Sequence, residues 1–101
     1  MVREALARNA IKRSLGTEAG KDGIDLFIDH HLEELSESYW LEYFGTARPE
    51  ASTIIEALIL KYSDEDDEVE MLDFTLPGDV TNYVVCVRLE PNGEVHVSME
   101  S

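Results

Sequence analysis

The chain of 101 residues has little cysteine, few basic side chains and no long hydrophobic run. Its one cysteine, Cys86, cannot form an internal disulfide, so we expect a reducing compartment and no cysteine-based zinc site. No apolar run approaches the roughly 20 residues that a membrane-spanning helix needs, and the first residues lack the pattern of a secretory signal. These absences predict a cytoplasmic protein that is not embedded in a membrane.

Acidic residues greatly outnumber basic residues, with 22 Asp and Glu against 8 Lys and Arg and a net charge of −14 at pH 7. Nucleic acids and anionic membrane surfaces require a cationic footprint, so direct binding of either is disfavoured. A protein partner with a basic surface is favoured, and plain solubility is the simpler explanation of the same charge. The charge is uneven, because residues 1–15 hold four basic side chains and one acidic side chain.

Large apolar residues are frequent enough for a hydrophobic core. Ile, Leu, Val and Phe make up 28 of the 101 residues, which exceeds the roughly 20% below which a charged chain tends to stay disordered. Because a domain usually has about 100–200 residues, we expect a single domain over residues 1–101.

The N-terminal segment, residues 1–15, is predicted to be a basic amphipathic helix. Leu6, Ala10 and Ile11 share one side at helical spacing. We expect this side to dock on the rest of the same chain, with exchange onto a neighbouring chain as the alternative.

A longer helical part is predicted at residues 24–62. Its apolar stripe is expected to break near Ser36 and Ser38, with Ser38 capping a short second piece, and a single helix to Gly45 is the alternative. The third helix of the chain then starts at Pro49, which suits a first turn, and runs to the end of this part. It is apolar on more than one side, so it is predicted to be the central buried helix.

Residues 64–70 hold six acidic side chains in seven positions. Mutual repulsion favours a solvated loop here, and the concentrated charge would steer a basic partner towards the protein. The predicted partner-binding carboxylates are Asp64, Glu65, Asp66, Asp67, Glu68 and Glu70.

Residues 71–100 show apolar side chains at alternate positions, which predicts β-strands. Pro91 and Gly93 suit a three-residue hairpin turn. The turn sets a register in which six apolar residues share one face: Leu89 opposite Val95, Val87 opposite Val97, and Val85 opposite Met99. The predicted fold class is α+β, with about three N-terminal helices packed on one face of a C-terminal three-stranded antiparallel meander.

Two groups of side chains could carry chemistry. His30, His31 and Glu34 form a His/carboxylate cluster, but adjacent histidines on a helix diverge by about 100°, so they do not easily bind one ion. Cys86 and His96 are expected to be diagonal neighbours on the polar sheet face, where a Cys–His nucleophile pair is conceivable. Phosphate-binding and calcium-binding loop motifs are absent from the sequence. We therefore assign no catalytic residue, cofactor site or metal site.

Residues 39–44 contain four of the eight aromatic side chains of the protein. They form two pairs at helical spacing on adjoining faces, and core packing is expected to account for one pair or both. Because Trp and Tyr are over-represented at binding hot spots, whichever of Trp40 and Tyr43 is exposed is predicted to anchor a partner.

Several short stretches carry a resemblance to known proteins. They are Trp40…Phe44-Gly45…Pro49, Asp73-Phe74-Thr75-Leu76-Pro77, Thr81-Asn82-Tyr83-Val84-Val85 and Gly93…Ser98-Met99-Glu100-Ser101. Together, over about residues 30–101, they resemble a group of small bacterial proteins of unknown function that end in a strand hairpin closing on Met-Glu-Ser. In size and charge, the chain also resembles the immunity proteins of bacterial toxin systems.

These observations predict a non-enzymatic, acidic protein-interaction domain. An immunity-type inhibitor of a basic protein is the specific role expected, with the protein as a monomer or homodimer. The alternatives are a small hydrolase or metal-dependent enzyme using His30, His31 and Glu34 or Cys86 and His96, and a structural homodimer that pairs through its aromatic cluster.

Overall fold

The computed structural model describes residues 3–66 and 68–100, which form an α+β fold. The helices in this part are α1 (Glu4–Ser14), α2 (Ile24–Glu34), α3 (Glu37–Phe44) and α4 (Ala51–Ala57), and a 3₁₀ turn spans Glu18–Gly20. The strands are β1 (Ile59–Asp66), β2 (Val69–Thr75), β3 (Val84–Leu89) and β4 (Val95–Glu100). The predicted class is therefore confirmed, whereas the described residues form four helices and four strands instead of three of each.

Helix α1 docks on its own chain, as predicted. It contacts α4, β3 and β4, and Ala7, Ala10 and Ile11 are buried. Leu6 is 39% exposed, so its predicted place on the docking side is wrong. The reason is that the buried stripe runs through Ala7 instead, which lies one turn before Ile11.

The predicted break after the second helix is confirmed, with a different cap. Helix α2 ends at Glu34, and the side chain of Ser36 accepts a hydrogen bond from the backbone N–H of Tyr39 at 3.4 Å. Ser36 is thus the N-cap of α3, and Ser38 lies within the first turn of that helix. A serine oxygen satisfies one of the N–H groups that a helix start leaves without an intrahelical partner.

The predicted third helix ends early, and the predicted acidic loop is mostly strand. Helix α4 stops at Ala57, and Ile59–Asp66 pairs with Val69–Thr75 as an antiparallel hairpin. Alternation along a strand sends neighbouring carboxylates to opposite faces, which reduces the repulsion that a packed acidic segment would otherwise suffer. Glu68, at φ 69°, lies in the turn between the two strands.

The sheet has the order β1-β2-β3-β4, and every neighbouring pair of strands is antiparallel. The hairpin register between β3 and β4 is the predicted one, from Leu89 opposite Val95 to Val85 opposite Met99. One face packs against the helices and supplies Leu72, Phe74, Val85, Val87 and Leu89 to the core. The register places a second set on the opposite face, called the outer face: Ile59, Tyr62, Asp64, Met71, Asp73, Thr75, Val84, Cys86, Arg88, His96, Ser98 and Glu100.

Candidate partner-binding surface

The predicted aromatic anchors have different environments. Trp40 is 1% exposed and packs edge-on against Tyr39 and beside Phe44, with ring centroids 5.0 and 5.2 Å away. Tyr43 is 46% exposed, and its ring lies over Gly78, where an added Cβ would come within 2.8 Å of the Tyr43 hydroxyl. Tyr43 is therefore the exposed member of the predicted pair, and Trp40 belongs to the core.

The acidic residues do not all face solvent. Asp64, Glu65 and Glu68 are exposed, whereas Glu70 is 3% exposed on the core side of β2. The side chain of Asp66 and the whole of Asp67, both among the predicted partner-binding residues, lie outside what the structure describes.

Glu70 is held by the start of the chain. Its carboxylate accepts hydrogen bonds from the backbone N–H of Arg3 at 3.0 Å and from Arg3 Nε at 2.7 Å. The hydrogen bond from the Arg3 side chain is the main cause that keeps the pKa of Glu70 below its usual value. This pairing also offsets the repulsion from Glu65, which lies directly opposite Glu70. Glu70 is thus a structural carboxylate and is not available to a partner.

The exposed tyrosine and the acidic turn lie at opposite ends of strand β2. Tyr43 contacts Gly78, beyond the last residue of the strand, and Glu68 precedes its first residue. Seven residues at a strand rise of roughly 3.3 Å each separate the two by about 20 Å. The structure therefore does not bring Tyr43 together with the acidic residues.

A different tyrosine lies beside the acidic residues. Tyr62 is 58% exposed on the outer face, and Ile59 and Met71 on the same face are 46% and 41% exposed. Tyr62 lies opposite Asp73, and Asp64 lies opposite Met71. This group is not evident from the sequence, because the apolar pattern predicts a helix through residues 59–62. A β-bulge between Leu60 and Tyr62 interrupts the alternation that is typical of a strand.

A depression of about 680 Å³ lies on the outer face next to this group and shares Met71 and Asp73 with it. The residues that line it lie on β2, β3 and β4 and at the start of the hairpin turn, and they are Met71, Asp73, Cys86, Arg88, Glu90, His96, Ser98 and Glu100. Arg88 Nε is 3.0 Å from a carboxylate oxygen of Glu90, and Ser98 Oγ donates to Glu100 at 2.9 Å. The depression thus has an excess of acidic side chains and is open to solvent.

The environment of Cys86 does not favour nucleophilic catalysis. Cys86 is 7% exposed, and burial, followed by a hydrogen bond and negative charge from Asp73, raises the pKa of its thiol to about 12. A nucleophilic cysteine needs a thiolate near neutral pH. His96, its predicted partner, instead has Nε2 3.5 Å from a carboxylate oxygen of Glu94.

The His30, His31 and Glu34 cluster is divided between core and surface. His31 is 2% exposed; its Nδ1 bonds the carbonyl oxygen of Phe27 at 2.6 Å, and its Nε2 is 2.9 Å from Thr81 Oγ1. Nδ1 thus bonds within helix α2, Nε2 links the helix to the loop before β3, and both ring nitrogens are engaged. Within the described ranges, no group of three or more His, Cys, Asp or Glu side chains is arranged to hold a metal ion.

Comparisons of this chain with protein-family models, with curated proteins and with solved structures find no match. The resemblance to small bacterial proteins and to immunity proteins therefore stays a prediction. Across the residues that the structure describes, none of the helices has the length and apolar character needed to cross a membrane.

Proposed function

We propose that this chain is a non-enzymatic interaction domain that binds a basic protein partner through the outer face of its sheet. The observation that carries the proposal is the grouping of exposed Tyr62, Ile59 and Met71 beside the carboxylates of Asp64 and Asp73. An apolar and aromatic patch bordered by one sign of charge is typical of a surface that recognises an oppositely charged protein.

The two kinds of side chain have separate roles in this proposal. Exposed ion pairs contribute only about 0–1 kcal/mol each, so the carboxylates mainly accelerate the encounter with a basic surface. Affinity comes from burying a few large side chains at the centre of the contact, and tyrosine is among the residues enriched there. Tyr62 is accordingly the proposed anchor, and Tyr43 lies too far from the acidic residues to share their contact.

An immunity-type inhibitor acting in the cytoplasm is the specific role that we propose. It is supported by the small size of the chain, its charge of −14 and a single cysteine that is a buried free thiol, which suits a reducing compartment. A homodimer that pairs through the outer face is disfavoured, because the contact would bring two acidic surfaces together. Sedimentation at several protein concentrations separates these cases.

The anchor can be tested by affinity capture from cell extract with two matched variants. Tyr62→Ala removes the proposed anchor, which is 58% exposed. Leu41→Ala removes a side chain of α3 with a similar exposure of 52%. We expect wild type and Leu41→Ala to retain the same basic protein and to release it at high salt, and Tyr62→Ala to lose it. Equal retention by all three proteins would contradict the proposal.

The steering role can be tested by association kinetics with the captured partner. One variant neutralises three exposed carboxylates of the β1–β2 hairpin: Asp64→Asn, Glu65→Gln and Glu68→Gln. A control makes the same charge change elsewhere: Asp22→Asn, Glu33→Gln and Glu37→Gln. We expect the hairpin variant to associate about tenfold more slowly at low salt, with nearly unchanged dissociation, because steering acts on the encounter. An equal effect of the control would assign the effect to net charge alone.

A further inference from the structure

We propose that the depression on the outer face receives the guanidinium group of an arginine side chain from the partner. This inference rests on the proposed function and deepens it, because it names the chemical group that the surface recognises. Three features carry it: a floor of small side chains, two carboxylates at its margins, and the engagement of the one arginine that lines it.

The floor of the depression is formed by Cys86 and Ser98, which lie opposite each other on β3 and β4. Both are small, whereas the positions around them carry longer side chains such as Met71 and Arg88. A small residue flanked by longer ones on a sheet surface leaves room for an inserted side chain. The stem of an arginine could lie along this floor, since long basic side chains bury their methylene groups while their charged ends stay polar.

Two carboxylates stand at opposite margins of this floor. Asp73 lies opposite Cys86 on the β2 side, and Glu100 follows Ser98 on the β4 side. With neighbouring strands about 4.8 Å apart, the β2 and β4 margins are roughly 10 Å from each other. Ser98 Oγ donates to Glu100 at 2.9 Å, and Asp73 lies directly opposite Cys86 on the neighbouring strand. The serine hydroxyl thus orients the Glu100 carboxylate and leaves its charge in place.

The arginine that lines the depression does not neutralise these two groups. Arg88 forms an ion pair with Glu90, with Nε 3.0 Å from a carboxylate oxygen. In the part of the chain that the structure describes, neither Asp73 nor Glu100 takes part in an ion pair. The charge of the depression therefore complements a cation supplied from outside.

The geometry favours arginine over lysine. A guanidinium group is planar and presents five N–H donors in several directions, so it can donate towards two separated carboxylates, whereas an ammonium group is a compact point charge. Arginine also binds carboxylates through paired hydrogen bonds and stacks on flat side chains. The imidazole of His96, which lines the same depression, offers such a surface.

The inference can be tested by NMR titration of the ¹⁵N-labelled protein with N-acetyl-arginine methylamide and with N-acetyl-lysine methylamide. We expect saturable shifts at the amides of Asp73, Cys86, Ser98 and Glu100, with arginine binding at least about threefold more tightly than lysine. Equal binding of the two probes, or shifts spread over all acidic residues without saturation, would overturn the inference.

Two pairs of variants make the test specific to the depression. Ser98→Met fills it, and Ser52→Met adds the same side chain at an exposed position of α4. Asp73→Asn removes one marginal charge, and Asp29→Asn makes the same change on α2. We expect Ser98→Met and Asp73→Asn each to weaken binding of the arginine probe about tenfold, and the two controls to bind like wild type. Preserved fluorescence of the buried Trp40 checks that the variants are folded.

The same variants separate the failure of this inference from the failure of the proposed function. If Ser98→Met retains the captured partner with unchanged affinity while Tyr62→Ala loses it, the function stands and the arginine site is refuted. If neither variant affects a retained partner, both proposals are refuted. If both variants lose the partner and only Ser98→Met loses the arginine probe, both are supported.

Discussion

The buried histidine of helix α2 should make the stability of the protein depend on pH. A carbonyl oxygen can only accept, so the 2.6 Å bond to Phe27 requires a proton on Nδ1 of His31. Nε2 then accepts from the hydroxyl of Thr81 at 2.9 Å, and Thr81 Oγ1 itself accepts from the backbone N–H of Tyr83 at 3.1 Å. This network fits the neutral imidazole, because a protonated Nε2 would direct a second donor at Thr81.

The direction of the pH effect follows from the pKa of His31. Burial lowers it from 6.5, with repulsion from the neighbouring His30 as a smaller contribution in the same direction and the hydrogen bond to Phe27 acting the other way. As pH falls below 6.5, the unfolded chain gains a proton at this position before the folded chain does. The free energy of unfolding should therefore fall with pH in this window, by at most about 1.4 kcal/mol per pH unit from this residue.

His31→Phe is the variant that isolates this contribution. It keeps a ring of similar size against Phe27, whose centroid is 4.3 Å away, and it removes both side-chain hydrogen bonds. We expect it to lower the free energy of unfolding by about 1–3 kcal/mol at pH 7.5, because the Thr81 hydroxyl is left without its acceptor. The deficit should shrink as pH falls towards 5.5, because the variant lacks the titrating group.

The measurement is urea unfolding followed by the fluorescence of Trp40, the single tryptophan, which is 1% exposed. Wild type, His31→Phe and His96→Phe are compared between pH 5.5 and 7.5. His96→Phe serves as the matched control, because His96 is an exposed histidine outside this buried network. A difference between wild type and His31→Phe that stays constant across this range would refute the reasoning.

Three further predictions concern other parts of the fold. Deleting residues 1–15 removes Ala7, Ala10 and Ile11 from the core. Because the loss of one large buried side chain alone lowers the free energy of unfolding by about 2–5 kcal/mol, calorimetry should show a much lower Tm. An unchanged Tm would show that α1 does not contribute to the stability of the fold. Arg3→Met should lower the free energy of unfolding by about 1 kcal/mol at pH 6, because the half-exposed Arg3 keeps the pKa of Glu70 low. This difference from wild type should vanish as pH falls through that lowered pKa. Equal free energies of unfolding at pH 6 would count against the pairing. Cys86 should react with iodoacetamide at neutral pH at least about 100-fold more slowly in the folded protein than in denaturant, since its pKa is raised to about 12. Comparable rates in the two states would indicate a reactive thiol.

The features of the fold that the sequence predicts correctly are those set by local interactions. The turn at Pro91 and Gly93 has its own backbone preferences, and together with the alternating apolar residues it sets the register of β3 against β4, which the structure confirms. The break before α3 follows from a serine that caps the next helix, although a neighbouring serine was predicted to be the cap. The predicted docking of α1 follows from an apolar stripe at helical spacing.

The candidate surface was predicted less well, because exposure depends on packing between distant elements. Two aromatic residues three positions apart, Trp40 and Tyr43, look equivalent in the sequence, and only the packed core shows that the first is buried. Glu70 looks like any other acidic residue of its segment until the fold brings Arg3 to it. The exposure of Tyr62 on a sheet face is not predictable from the sequence, because the apolar pattern of its segment predicts a helix.

The sequence by itself determined the α+β class, the acidic character and the C-terminal hairpin, since composition, periodicity and turn chemistry act within a few residues along the chain. Only the tertiary structure decided that Ile59–Asp66 is a strand. A helix forms its hydrogen bonds within its own segment, whereas a strand needs a partner, and the partner β2 becomes available only when the hairpin closes. Pairing with β2 therefore determines that this apolar and acidic segment forms a strand and not a helix. The same pairing places Tyr62 beside Asp64 and Asp73 on the outer face.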